Sequence, residues 1–185
     1  MPKKYFRRYL PTAESIRANR WLAWLGPFLD HPALWRLNRK SVSGAVAIGL
    51  FSGLVPGPLQ MLTAALLAVP LKKNLPVALF VTLYTNPLTI VPLYLLAYGY
   101  GRLLVGGDGG AIPAPYEMDW ANPLASAAGL LRWMVSLGPP LAVGLVALAL
   151  TLAALGYVAV DLGWRAWVGV QWRARRHQRQ RRRRS

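Results

Sequence analysis

Uncharged hydrogen-bonding side chains stand beside two proline-bearing interruptions in a leucine-rich chain. Gln60 and Thr63 follow Pro56-Gly57-Pro58, and Thr85, Asn86 and Thr89 flank Pro87. A proline in an apolar helix removes an amide donor and frees a carbonyl of the preceding turn, which hydrocarbon cannot satisfy. Amide and hydroxyl groups at such a point can close the helix ends locally. Alternatively, they line a polar pocket at which the half-helix N-termini after Pro58 and Pro87 aim partial positive charge, a geometry suited to phosphate or carboxylate. The residues alone do not choose between the two.

These side chains must be positioned by the apolar stretches Val42 to Leu71 and Leu75 to Leu104, which break in matching places. Superposing Pro58 on Pro87 also pairs Leu50 with Leu79, Phe51 with Phe80, Leu54 with Leu83, and Leu66-Leu67-Ala68 with Leu95-Leu96-Ala97. Duplicated, interrupted apolar helices point to a transporter-like membrane core. Pro32 suits a first helical turn, so a continuous helix is expected from about Ala33 to Val55. Its charge-free part, Val42 to Val55, rises only about 21 Å against a hydrocarbon core of roughly 30 Å. Each unit is therefore either one kinked span or a re-entrant hairpin. Arg36, Arg39 and Lys40 before the first unit and Lys72 and Lys73 after it favour a hairpin, whereas repeat symmetry asks both units for one shape. From Pro139 to Trp164 the chain is apolar throughout and long enough to cross, with Leu124 to Leu137 ahead of it as a half-span or surface helix. The expected fold is all-α and membrane-integral: two interrupted, broken or re-entrant, units in tandem repeat plus a C-terminal transmembrane helix.

Composition agrees with a lipid environment. The chain has 185 residues, 55% hydrophobic and 15% charged, with a mean hydropathy of +0.31. Its formal net charge of +16 is concentrated at the two ends. That distribution predicts a multi-pass protein of the bacterial inner membrane with both termini cytoplasmic. Residues 1–40 read as a basic, aromatic-rich interfacial arm, 41–164 as the membrane domain, and 165–185 as a cytoplasmic arginine-rich tail. Cysteine is absent, which excludes disulfides and thiolate metal sites.

Arg173, Arg175, Arg176 and Arg179 of the tail are expected at lipid headgroups. A dense arginine run also binds nucleic acid without sequence preference, but on a membrane-embedded chain anionic lipid is the simpler partner. Self-association stays open. Tyr84, Tyr94, Tyr98 and Tyr100 read as packing or interface anchors, Arg132 as a snorkelling residue, and Asp161 as a local partner for Arg165. No carboxylates pair in the apolar core, both histidines lie in the basic arms, and no phosphate-cradling or dinucleotide motif occurs. Neither an enzyme nor a cofactor or metal site is expected.

The matches Gly49, Phe51, Gly53, Pro56, Gly57 and Gln60, then Lys73-Asn74, then Asn86-Pro87-Leu88-Thr89 with Tyr94, carry a family resemblance. From Trp35 to Leu104 the chain resembles a family of small bacterial inner-membrane proteins known as domain of unknown function number two thousand and sixty-two. Asn-Pro-x-Thr is the most specific element, and Pro58 departs from the pattern. The resemblance implies an integral membrane protein and supplies no activity. The expected function is to transport or bind a small anionic or lipid-phosphate substrate in a pocket at the paired breaks, contacted by Gln60, Thr63, Thr85, Asn86 and Thr89. The alternative is a non-transporting adaptor or anchor whose basic arms bind anionic lipid, nucleic acid or a partner protein.

Overall fold

A computed structural model describes residues 31–57, 59–106, 114–119 and 121–182, except for the side chains of 123 and 173–182. Pro58, residues 1–30 of the expected arm, and the side chains of Arg173, Arg175, Arg176 and Arg179 lie outside the described residues. Every described element is helical: α1 (Arg39–Ser52), α2 (Leu59–Ala68), α3 (Leu75–Thr82), α4 (Ile90–Val105), α5 (Pro123–Ser136) and α6 (Gly138–Arg182), with a single 3-10 turn at Pro32–Trp35 ahead of them.

The continuous helix expected from Ala33 does not form. Arg36 is extended after the 3-10 turn, and the Asn38 side chain accepts from the Ser41 amide at 2.8 Å to start α1 afresh. An asparagine oxygen satisfies an orphan N-terminal amide better in this role than as an interior helical residue. Asn74 caps α3 in the same way, accepting from Val77 N–H at 2.9 Å. At the other extremes, Gly106 adopts a left-handed conformation to close α4, and left-handed Gly138 makes the corner between α5 and α6.

Helix α6 is the spine along which α1 and α4 both pack. Asp161 of α6 meets Arg39 at the start of α1, and Gly156 lies against Leu50 and Val46. Leu148 and Ala149 share a core cluster with Leu54 and Tyr94, and Gly144 sits against Ala97 and Gly101. The contacts run in opposite sequence order, so α1 and α4 are antiparallel to α6 and stand end to end beside it. Their junction is near Leu148, about 20 Å from Asp161 and about 15 Å from Gly138 at 1.5 Å per residue.

The two interrupted units take different shapes. Helix α2 turns back from the first break, and the turn after it adjoins the start of α1: Lys73 Nζ lies 3.5 Å from the Lys40 carbonyl, and Asn74 Nδ2 donates to the Arg36 carbonyl at 3.1 Å. The first unit is thus a hairpin with both feet at one end. Helix α3 then rises alongside α1, placing Ala78 and Val81 against Gly49 and Tyr84 against Gly53, and beyond its break α4 carries on in the same direction. A second core cluster, in which Ala45, Ala64, Ala65, Ala68 and Ala78 pack with Ile48, Leu75 and Leu79, binds α1, α2 and α3.

One helix among the described residues, over Gly138–Trp172, is long and apolar enough to cross a membrane, and only 17% of its most apolar window is buried. Large apolar side chains face outward elsewhere too, among them Leu66, Phe80, Leu96, Leu103 and Leu124. A soluble core helix would hide such residues.

Candidate functional site

The first break leaves the last carbonyls of α1 without intrahelical partners, and the second unit supplies the donors. Tyr84 Oη donates to the Leu50 carbonyl at 2.8 Å, Thr85 Oγ1 donates to the Gly53 carbonyl, and Tyr94 Oη donates to the Leu54 carbonyl at 2.8 Å. Three hydroxyls therefore complete a helix end that belongs to a distant part of the sequence. Tyr94 is 1% exposed and cannot exchange its bond for one with water. Gly57, at φ 66, makes the turn that follows, a conformation that costs glycine nothing.

The second break closes on itself. Asn86 Oδ1 accepts from the Leu88 and Thr89 amides at 2.9 and 3.1 Å. Thr89 Oγ1 accepts from the Asn86 amide at 2.9 Å and donates to the Tyr84 carbonyl at 2.7 Å. Asn-Pro-Leu-Thr is thus a reciprocal cap, the local-closure role that the sequence allowed. Thr63 behaves likewise, its hydroxyl donating to the Leu59 carbonyl one turn back at 2.8 Å.

Where the breaks meet, they wall a cavity of about 700 Å³. Pro56, Gly57, Leu59, Gln60, Thr85, Asn86, Pro87 and Ile90 form one side of it. The other side comes from the 114–119 segment and α5, through Met118, Asp119, Ser126, Leu130 and Met134. Of the five expected pocket residues, Gln60, Thr85 and Asn86 line the cavity, while Thr63 and Thr89 do not. Gln60 Oε1 lies 2.8 Å from Thr85 Oγ1. That hydroxyl also faces the Gly53 and Thr82 carbonyls, so one proton serves three acceptors and Gln60 is only weakly held. With Asn86 Oδ1 spent on the cap, its Nδ2 amide is the donor left to the cavity.

Sequence reasoning missed the far wall. Ser126, Leu130 and Met134 recur at helical spacing, the signal that would have placed one face of α5. Ser126 Oγ accepts from the Asp119 amide at 2.7 Å and donates to the Asp119 carbonyl at 2.9 Å, while Tyr116 Oη donates to the Ser126 carbonyl at 3.0 Å. These bonds hold the 114–119 segment against α5. Asp119 brings the lining its charge. The Asn122 side-chain amide and then the Ala121 amide hold its carboxyl below the usual carboxylate range. No lysine or arginine is among the lining residues, so a bare anion of the kind expected from the sequence meets no counter-charge there. Apart from Gln60, Thr85, Asn86, Asp119 and Ser126, the wall is apolar, mostly leucine, isoleucine, methionine and proline.

Among the described residues, no group of three or more His, Asp or Glu side chains is placed to hold a metal ion. Residues 22–173 match the model of a family described as an uncharacterized protein conserved in bacteria (DUF2062). No curated protein and no solved structure matches the chain.

Proposed function

The chain belongs to this uncharacterised bacterial family, and from the geometry of its helix breaks we propose that it is an integral inner-membrane protein that binds a lipid-like substrate, for translocation, in the cavity between them. The observation that carries this reading is that two proline breaks, distant in sequence, come together to wall one large, mainly apolar space. Intramembrane breaks are tolerated where they line a cavity, and pockets of about 300–1,000 Å³ suit small-molecule guests.

In this reading α6 crosses from Gly138 to Asp161, about 35 Å of helix for a hydrocarbon core of roughly 30 Å, and the breaks lie near mid-depth. The α3–α4 unit crosses a second time, while the α1–α2 hairpin enters and leaves at the end bearing Arg36, Lys40 and Lys72. By the positive-inside rule that end is cytoplasmic, as are both termini. The lining sharpens the substrate. An acyl or prenyl chain fits against Leu59, Ile90, Leu130 and Met134, and the head group is read by the Gln60 and Asn86 amides. A lipid phosphate fits with its charge outside the reach of Asp119, whereas a small free anion gains nothing from the apolar wall. The protein acts without covalent chemistry.

The test is lipid retention by the full-length protein purified in a mild detergent, measured by mass spectrometry of co-eluting lipid. Ala127→Trp puts an indole into the cavity and should deplete the bound lipid. Asn86→Ser keeps a capping oxygen, loses the Nδ2 donor and should weaken retention of polar-headed lipids selectively. Wild-type retention by a folded Ala127→Trp variant would refute the cavity as the binding site. Resistance to alkaline carbonate extraction reads membrane integration separately.

A further inference from the structure

At the hairpin's feet, three separate elements bring positive charge to one level. The start of α1 and the segment before it contribute Lys40 and Arg36, and the α2–α3 turn contributes Lys72 and Lys73, held beside them by the Lys73–Lys40 and Asn74–Arg36 bonds. Helix α6 contributes Arg165. The carboxylate at this level, Asp161, is already engaged: Arg39 Nε lies 3.2 Å from one of its oxygens and Arg165 Nε lies 2.9 Å from the other. Arg36, Lys40 and Lys72 are exposed and have no ion pair among the described residues. Glu117 and Asp119, the other described carboxylates, lie in the segment between α4 and α5, where Asp119 lines the cavity at the breaks.

The surface next to this basic rim is apolar and equally exposed. Leu71 (56% exposed) adjoins Lys72, and Leu155, Val158 and Leu162 lead along α6 to the level of Asp161. Trp164 and Trp167 stack edge to face just beyond, as aromatic residues do where one end of the ring is dry and the other wet. An occupant of this rim must be anionic at one end and hydrocarbon a few ångströms away. Nucleic acid meets the first requirement and fails the second.

We infer that Arg36, Lys40 and Lys72, with Leu71 beside them, form a binding surface for the headgroups of anionic phospholipids on the side of the membrane where the hairpin is rooted. The inference rests on the bilayer placement proposed above and is independent of the cavity. Lys72 is exposed at a turn. Its φ of 51 is a left-handed conformation uncommon outside glycine, and it ends the turn with the ammonium on the outside.

The test uses the full-length protein in a neutral detergent, titrated with phosphatidylglycerol or with phosphatidylcholine and read by native mass spectrometry. The variant is Lys40→Gln combined with Lys72→Asn, since asparagine accepts a left-handed backbone. A basic residue near an anionic surface contributes about fivefold, so the pair should weaken phosphatidylglycerol binding about 25-fold and leave phosphatidylcholine binding unchanged. Arg132→Gln, at the opposite end, should bind both lipids as wild type does, and any contribution of the arginine tail is common to all three proteins. Equal phosphatidylglycerol affinity in the double variant and wild type overturns the inference. So does a short DNA duplex that displaces the lipid and itself loses affinity in the double variant, because the rim is then a nucleic-acid site. Carbonate extraction of the same variants checks membrane placement: a protein that washes off fails the bilayer reading, whereas one that stays but has lost lipid preference supports the rim.

Discussion

Helices α4 and α6 touch through backbone, and this makes a glycine in α6 the sharpest test of the fold. A Cβ at Gly144 would stand 2.7 Å from the Ala97 carbonyl carbon and 2.8 Å from the Gly101 amide nitrogen, where carbon contacts need about 3.5–4.0 Å. Neither neighbour is a side chain that can rotate away, so Gly144→Ala must drive the helices apart by roughly 1 Å. Overpacking costs about 1–3 kcal/mol, and a seam of main chain belongs at the upper end. Alanine returns about 1 kcal/mol of helix propensity, which leaves a net loss of about 2 kcal/mol. Gly163, in the same helix, has nothing within 4 Å of its would-be Cβ, so Gly163→Ala collects the propensity term alone. Thermal unfolding of the two full-length variants in one detergent, followed by far-UV circular dichroism, should place Gly144→Ala about 4–8 °C below wild type and Gly163→Ala at or above it. Coincident melting of the two variants would show that α4 and α6 do not meet at Gly101 and Gly144.

Four further outcomes are expected. Tyr94→Phe strands the buried Leu54 carbonyl and should cost about 1–3 kcal/mol in the same melt, with little change in volume. Ser52 Oγ is buried without a hydrogen-bond partner, so Ser52→Ala should stabilise the protein by about 1 kcal/mol, seen as a higher melting temperature. Asp161→Ala leaves Arg39 and Arg165 unpaired at a site that is 13% exposed on the acid side and 32% on the Arg39 side. The expected loss is about 1–2 kcal/mol, between surface and buried values, and it should shrink when Arg39→Ala is added. Asp119 has a folded pKa depressed below its unfolded value of about 3.9, so its contribution is complete above that value and is lost as pH falls through the lower folded one. Thermal stability should therefore be flat from pH 7 to about 5 on its account, and any acid step below pH 4 that it causes should vanish in Asp119→Asn.

Much of this could be read in the residues because apolar runs and prolines act locally. Pro56-Gly57 and Pro87 locate both interruptions, and Pro139 gives the start of α6 to within one residue, although the helix continues past Trp164 to Arg182. Asn38 shows where that reading stops. A single capping oxygen divided the helix that Pro32 suggested, within the charged stretch ahead of Val42. The shapes of the two units were only partly legible: the charges flanking the first favoured a hairpin, but repeat symmetry asked for one shape, and aligned leucines say nothing about whether α2 turns back or α4 carries on. That outcome depends on Lys73 reaching the Lys40 carbonyl and Asn74 reaching that of Arg36, contacts between positions far apart in the chain. At the site, Gln60, Thr85 and Asn86 were found because polar groups beside a helix break are conspicuous in an apolar chain. The α5 wall escaped because leucine and methionine lining a cavity look like leucine and methionine filling a core.

The carbonyls at the end of α1 have a consequence for how the polypeptide is assembled. They become tolerable in an oily surrounding only when Tyr84, Thr85 and Tyr94 arrive, and those residues leave the ribosome some thirty to forty positions later. In the bilayer placement proposed above, the segment ending at Gly53 therefore lacks these donors until the second unit has been made. The end of α1 is therefore completed from downstream, and in that placement truncations that stop before Tyr94 should yield a less stable polypeptide, read as a shorter lifetime in the cell.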